Sequence, residues 1–162
     1  TLRTFLGSMM APYTAWLLTR SLETLHLRMS KQTENAKIVA NFLNKEPKVK
    51  RVFFPGTEGM GKEQINIYKK QCLAPGAMIS FVLEENESSA FKFLNSLKLI
   101  KLAVSLGSNE SLAQHPYSMT HADVPDSEKE SIGISEGLIR LSVGIENFQD
   151  IIDDLKQSLK VI

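Results

Sequence analysis

The chain has 162 residues, 43% of them hydrophobic, which suits one domain with a real core and leaves little room for two. Nineteen basic residues against eighteen acidic ones give a net charge of +1, a balance that argues against nucleic-acid and polybasic membrane binding. The single cysteine, Cys72, excludes an internal disulfide framework and a cysteine-built zinc site, and no apolar run approaches the ~20 residues of a membrane span.

The opening TLRTFLGSMM carries one charge, Arg3, with no start methionine, no clear N-cap and no A-x-A cleavage pattern. It reads as the interior of a longer element. With no targeting or disulfide signal, the expected location is cytoplasmic. From Pro12 the pattern is helical: Ala15, Leu18, Leu22, Leu25 and Met29, then Ala36, Val39 and Leu43, recur at spacings of three and four. This predicts one long helix, or two with a bend near Ser30–Thr33, ending at Asn44, Lys45 and Pro47. The stripe lasts too few heptads, and lacks the paired charges, for a coiled coil.

Val49–Phe54 is β-branched and aromatic and stops at Pro55-Gly56, so it predicts a strand. Lys62–Cys72 spaces Ile65, Tyr68 and Cys72 as a short helix. Ala77–Leu83 reads as a buried strand and Glu87–Leu97 as a helix. Ile100–Val104 predicts a third strand and Leu138–Val143 a fourth. Asn147 caps a final helix to Leu159, with Ile151, Ile152, Leu155 and Leu159 as its stripe. The expected fold is α+β: a small, mostly antiparallel sheet of about four strands, covered by helices on one face and preceded by a long helix.

Between the last two strands, Ser105–Gly137 has little periodicity, and loops of this length in compact domains are often functional. It holds His115 and His121, with Asp123 as the one plausible third metal ligand. Their spacing fits no zinc pattern, so hydrogen-bonded loop histidines, with no metal, are expected. Ser, His and Asp occur together without a G-x-S-x-G elbow, which argues against a hydrolase triad. In LIRLSV, alternation puts Ile139, Leu141 and Val143 on one face and Leu138, Arg140 and Ser142 on the other. Arg140 either faces water or lies at a cleft, where its guanidinium suits a carboxylate.

These residues resemble a known family. AVSLGSNESLAQHPYSMTH at Ala103–His121, followed by GISEGLIRLSVGIE at Gly133–Glu146, is similar to the C-terminal domain of the Cys/Met-metabolism enzymes that use pyridoxal 5′-phosphate (PLP). Gly7-Ser8-Met9-Met10-Ala11-Pro12-Tyr13, Ala15-Trp16-Leu17-Leu18 and Thr24-Leu25-His26-Leu27-Arg28-Met29 resemble the long helix that bridges the two domains there. VKRVFFPG and PGAMISFVL also fit, so the resemblance covers essentially the whole chain in order. It implies a fold-type I PLP enzyme, with residues 1–46 an N-terminal segment and inter-domain helix, and 47–162 the C-terminal α+β domain.

Within the family, SLAQHP and SMTH are most similar to the methionine γ-lyase branch. The γ-lyases acting on cystathionine typically carry Glu before the serine of S-L-G, where this chain has Val104. The resemblance therefore implies γ-elimination of methionine to methanethiol, ammonia and 2-oxobutanoate, with cystathionine γ- or β-lyases and γ-synthases as close competitors. It assigns Arg140 and Ser105 to the substrate α-carboxylate. Expected partners are a small sulfur amino acid, the PLP-binding domain and other copies of the chain, since the family forms tetramers.

The family's Schiff-base lysine sits in an S-x-T-K-like segment, and neither Lys31, Lys62 nor any other lysine here matches it. The residues that hold the PLP phosphate and stack on its ring lie in the same missing part. The expectation is a piece of a PLP-dependent carbon–sulfur lyase that is inactive alone and binds no cofactor by itself, with no catalytic residue of its own. A short non-catalytic module on the same fold is the alternative. Trp16, Leu17, Phe5, Met9 and Met10 are expected to form an exposed apolar patch that drives self-association.

Overall fold

The computed structural model describes residues 2–7, 9–57, 60–83 and 86–162. Ser8, within the segment matched to the bridging helix, lies outside the described residues. Twelve elements follow in order: α1 (Leu2–Leu6), α2 (Pro12–Glu23), α3 (Leu25–Leu43), β1 (Val49–Phe53), α4 (Gly61–Gln71), β2 (Met78–Leu83), α5 (Glu87–Ser96), β3 (Lys101–Leu102), β4 (Leu112–Gln114), α6 (Asp126–Ser131), β5 (Leu138–Ser142) and α7 (Phe148–Leu159).

The five strands form one sheet in the order β1-β2-β5-β4-β3. Ladders β1–β2, β2–β5 and β4–β5 are antiparallel, and β3–β4 is parallel. The architecture is α+β as expected, but the sheet has five strands rather than about four, and it is mixed. The extra strand, β4, lies inside the segment with little periodicity. Its three residues are all buried, so no alternation marks it. The strand expected at Ile100–Val104 is only Lys101–Leu102, extended by bonds from Lys101 N to Ser111 O and from Ala103 N to Ala113 O.

Alternation along β2 and β5 sets the two faces. Ile79 pairs with Leu141 and Phe81 with Ile139, and all four are fully buried. They meet Ala36, Val39, Ala40 and Leu43 of α3, Ala90 and Phe93 of α5, and Ile151 and Leu155 of α7. Phe81 and Phe93 pack edge to face at 5.7 Å, a favoured aromatic geometry. Asn147 Oδ1 accepts from Gln149 N at 2.9 Å, and Asn86 Oδ1 from Ser89 N at 2.9 Å, so α7 and α5 each carry a side-chain cap worth about 1 kcal/mol. The buried Asp154 of α7 takes three backbone N–H groups, from Lys98, Leu99 and Ile100, each at 2.9 Å. That carboxylate fixes the turn from α5 into β3.

The long N-terminal stripe does break into two helices, but at Thr24 and not at Ser30–Thr33. Thr24 sits at φ −108°, ψ 3°. Arg28 reaches back to the break, Nη2 to Ser21 O at 2.8 Å and Nε to Thr24 Oγ1 at 3.3 Å, and so satisfies a carbonyl that the break exposes. Ser30–Thr33 stays helical because Gln32 and Thr33 are already buried. α2 buries nothing: Tyr13, Trp16, Leu17 and Leu18 are all exposed, as are Phe5, Met9 and Met10 before it.

Candidate active site: the polar face of the sheet

The face of the sheet away from the helical core carries Ser80, Arg140, Gln114 and Ser142. Ser80 pairs with Arg140 in β2–β5, Gln114 pairs with Arg140 in β4–β5, and Leu112 pairs with Ser142. Arg140 does not simply face water. Its Nη2 donates to Val104 O at 2.7 Å and to Ser105 O at 3.0 Å. Its Nε is buried and has no partner among the described residues. Burial lowers the Arg140 pKa from the ordinary arginine value, yet a guanidinium remains charged in any working pH range.

Ser105 lies on the connection from β3 to β4, and four side chains tie that connection down. Arg140 holds its start. Ser142 Oγ accepts from Gly107 N at 2.9 Å, and Gln32 Nε2 of α3 donates to Ser108 O at 2.6 Å. Ser111 Oγ donates to Glu146 Oε2 at 2.9 Å and accepts from Gly144 N at 2.9 Å. Asn35 Nδ2 bonds Gly144 O at 3.1 Å and Glu146 O at 2.8 Å, closing the far side. Gly107 sits at φ +75°, a left-handed turn that other residues rarely adopt. Gly144 is needed for a different reason: a Cβ there would collide with Asn109 O and Glu146 Oε2.

The sequence singled out Ser105 and Arg140, and the fold brings them together. It did not single out Ser142, Gln32 or Gln114. Ser142 was legible in outline, as the next residue on Arg140's side of LIRLSV. Gln32 and Gln114 gave no periodic signal, because each is a polar residue buried by a partner distant in sequence.

His115 and His121 do not form a site. His115 is fully buried, with Nε2 2.7 Å from Glu136 O and Nδ1 2.7 Å from Ser118 Oγ. A carbonyl only accepts, so Nε2 carries the proton and Nδ1 accepts from the serine. Both nitrogens are used, and neither can bind a metal. His121 Nδ1 lies 3.0 Å from Thr120 Oγ1. Among the described residues no three His, Cys, Asp or Glu side chains converge on a common point.

A cleft of about 780 Å³ opens elsewhere, between Lys50, Arg51 and Phe53 of the β1 region and residues 133–137. Tyr117 lines it. Hydrogen bonding to the Asp126 carboxylate pushes the Tyr117 hydroxyl up to about 12. Asp126 is in turn held below the usual carboxylate value, by Tyr117 first and then by Lys129. The Lys129 ammonium sits 4.0 Å from the centre of the Tyr117 ring. Neither Ser105 nor Arg140 borders this cleft.

The groups around Ser105 and Arg140 are hydroxyls, an amide and a guanidinium, and among the described residues no lysine is bonded to them. They suit a carboxylate. They do not by themselves suit PLP, which needs a lysine and a phosphate cradle.

A family model described as Cys/Met metabolism PLP-dependent enzyme matches residues 1–160. An L-methionine γ-lyase of Fusobacterium nucleatum subsp. polymorphum is 47% identical over 161 residues, which is 99% of this chain and 40% of that protein. A cystathionine γ-lyase of Bos taurus is 45% identical over 159 residues, 98% of this chain and 39% of that protein. The crystal structure of cystathionine γ-lyase from Lactobacillus plantarum complexed with L-serine superposes with a TM-score of 0.89 at 38% identity. It covers 99% of this chain and 42% of its own. The chain thus spans about 40% of the length of the curated relatives it matches. With a half-buried arginine facing a pinned serine loop, and with that match over nearly every residue, the chain belongs to the Cys/Met metabolism PLP-dependent enzyme family.

Proposed function

We propose that this chain is the C-terminal, substrate-carboxylate-binding part of a PLP-dependent carbon–sulfur lyase. One observation carries the reading: Arg140 is held at the sheet by the carbonyls of Val104 and Ser105, beside the serine that the family resemblance assigns to the same carboxylate. The placement at the C-terminal end is supported by LIRLSVG and by the absence of an S-x-T-K segment from these residues. Residues 1–46 then lead from the PLP-binding domain to the α+β domain of 47–162, with the second half of α3 packed into that domain's core rather than outside it. The exposed apolar side chains of α2 suit packing against that domain or another copy.

In this role Arg140 neutralises the α-carboxylate and the Ser105 hydroxyl donates to it. Fixing the carboxylate orients the Cα–H bond, and such positioning contributes several kcal/mol to a barrier. The proton-abstracting lysine and the cofactor come from the rest of the enzyme, so the chain alone is inactive. Val104, at 50% exposure, offers no charge to a distal ammonium group. This favours L-methionine over cystathionine as substrate. The test is an assay of the complete enzyme on both substrates, following methanethiol and cysteine. Methanethiol formation with the higher kcat/KM supports the reading; faster cysteine release from cystathionine places the enzyme with the cystathionine lyases.

A further inference from the structure

Two buried groups near the site have no role in this reading. Gln114 is 1% exposed and pairs with Arg140 across the β4–β5 ladder. Its Nε2 makes a long bond to Thr120 Oγ1, 3.3 Å, and its Oε1 has no partner among the described residues. Arg140 Nε is the second orphan. Buried polar groups are ordinarily satisfied, so an unpaired acceptor and an unpaired donor on directly paired residues need an explanation.

Directly paired residues on antiparallel strands hold their Cβ atoms about 4.5–5.5 Å apart on one face. Gln Oε1 and Arg Nε both lie three bonds beyond Cβ, so extended side chains rise to the same height above the sheet. The opposite amide orientation would set an NH₂ group against the Arg140 N–H, donor against donor.

We propose that Gln114 is the positioning residue for Arg140: its Oε1 accepts the Nε–H when a substrate carboxylate draws the guanidinium into line. With Nη2 on Val104 and Ser105 and Nε on Gln114, the guanidinium plane is fixed along two edges. Nη1 is then the donor left for the carboxylate. Glutamine suits the position because a neutral amide orients the cation without neutralising it. A glutamate there would compete with the substrate.

The inference rests on Arg140 being the carboxylate site. The test uses the complete enzyme with Gln114→Met, Arg140→Lys and the double variant. The readouts are the Kd of L-norleucine by calorimetry, kcat and KM for L-methionine, and the melting temperature. Gln114→Met is expected to raise Kd and KM about tenfold with kcat little changed, the loss for one hydrogen bond to a charged group. Lysine has no Nε–H, so adding Gln114→Met to Arg140→Lys is expected to cause no further loss. Equal losses in both backgrounds, or no change in Kd with Gln114→Met alone, overturn the proposal. If Arg140→Lys itself leaves norleucine binding intact, the carboxylate reading fails first, and the Gln114 role fails with it.

Discussion

Arg140 donates from Nη2 to the carbonyl oxygen of Ser105 at 3.0 Å, across 35 positions of chain. The two residues assigned to one carboxylate are therefore parts of one hydrogen-bonded unit. In the proposed site the strand would supply the charge and the loop the hydroxyl, while the guanidinium holds the loop through its carbonyls.

This coupling predicts unequal effects of substitution. Arg140→Lys in the complete enzyme loses both the planar donors and the loop anchor. A fall in kcat/KM for the sulfur amino acid of about 100-fold is expected, since lysine does not replace arginine at such a site. Ser105→Ala keeps the backbone carbonyl that Arg140 holds, so a smaller loss of about tenfold is expected. Steady-state kinetics on the two variants distinguishes them, and equal losses would show that the loop and the strand act independently.

Asp154 accepts from three consecutive backbone N–H groups while 6% exposed. Asp154→Ala leaves all three without that partner. The expected cost is about 3 kcal/mol of folding stability, read as a lower urea midpoint with an unchanged slope. Asp154→Asn keeps one acceptor and should lose less.

At Gly144 the demand is steric. A methyl group there meets Asn109 O, a backbone atom that cannot swing aside. Gly144→Ala is expected to destabilise by about 2 kcal/mol through forced backbone movement. Thermal melting of the variant measures it.

The phenol of Tyr117 provides a spectroscopic check on the 115–137 segment. Its folded pKa of about 12 is above the ordinary tyrosine value because Asp126 favours the neutral hydroxyl. A raised acid pKa contributes stability that is fully present below the unfolded value near ~10 and is lost as pH climbs through the folded one. Following phenolate absorbance, Tyr117 should titrate later than an ordinary tyrosine. Asp126→Ala should bring it down, because both the acceptor and the repelling charge are gone. An unshifted titration in that variant would falsify the assignment.

How much of this was legible in the sequence follows from which contacts are local. The faces of β5 were readable because alternation within LIRLSV is a property of neighbours, and Arg140 emerged opposite Ile139 and Leu141 as that pattern requires. The cap at Asn147 was readable for the same reason. β4 was not, because three fully buried residues have no period. The bend at Thr24 was not, because Arg28 reaching back to Ser21 O marks it rather than a helix-breaking residue. Gln32 and Gln114 look like surface residues until the loop 76 positions from Gln32, and the strand beside Gln114, fold over them.

In the proposed enzyme this chain supplies a carboxylate site while the lysine of the reaction lies elsewhere. The most direct test mixes the purified chain with PLP, reduces with borohydride and maps the labelled peptides. The expected result is sparse labelling spread over several surface lysines. One lysine labelled at one equivalent per chain would contradict the claim, because the chain would then hold a cofactor site of its own.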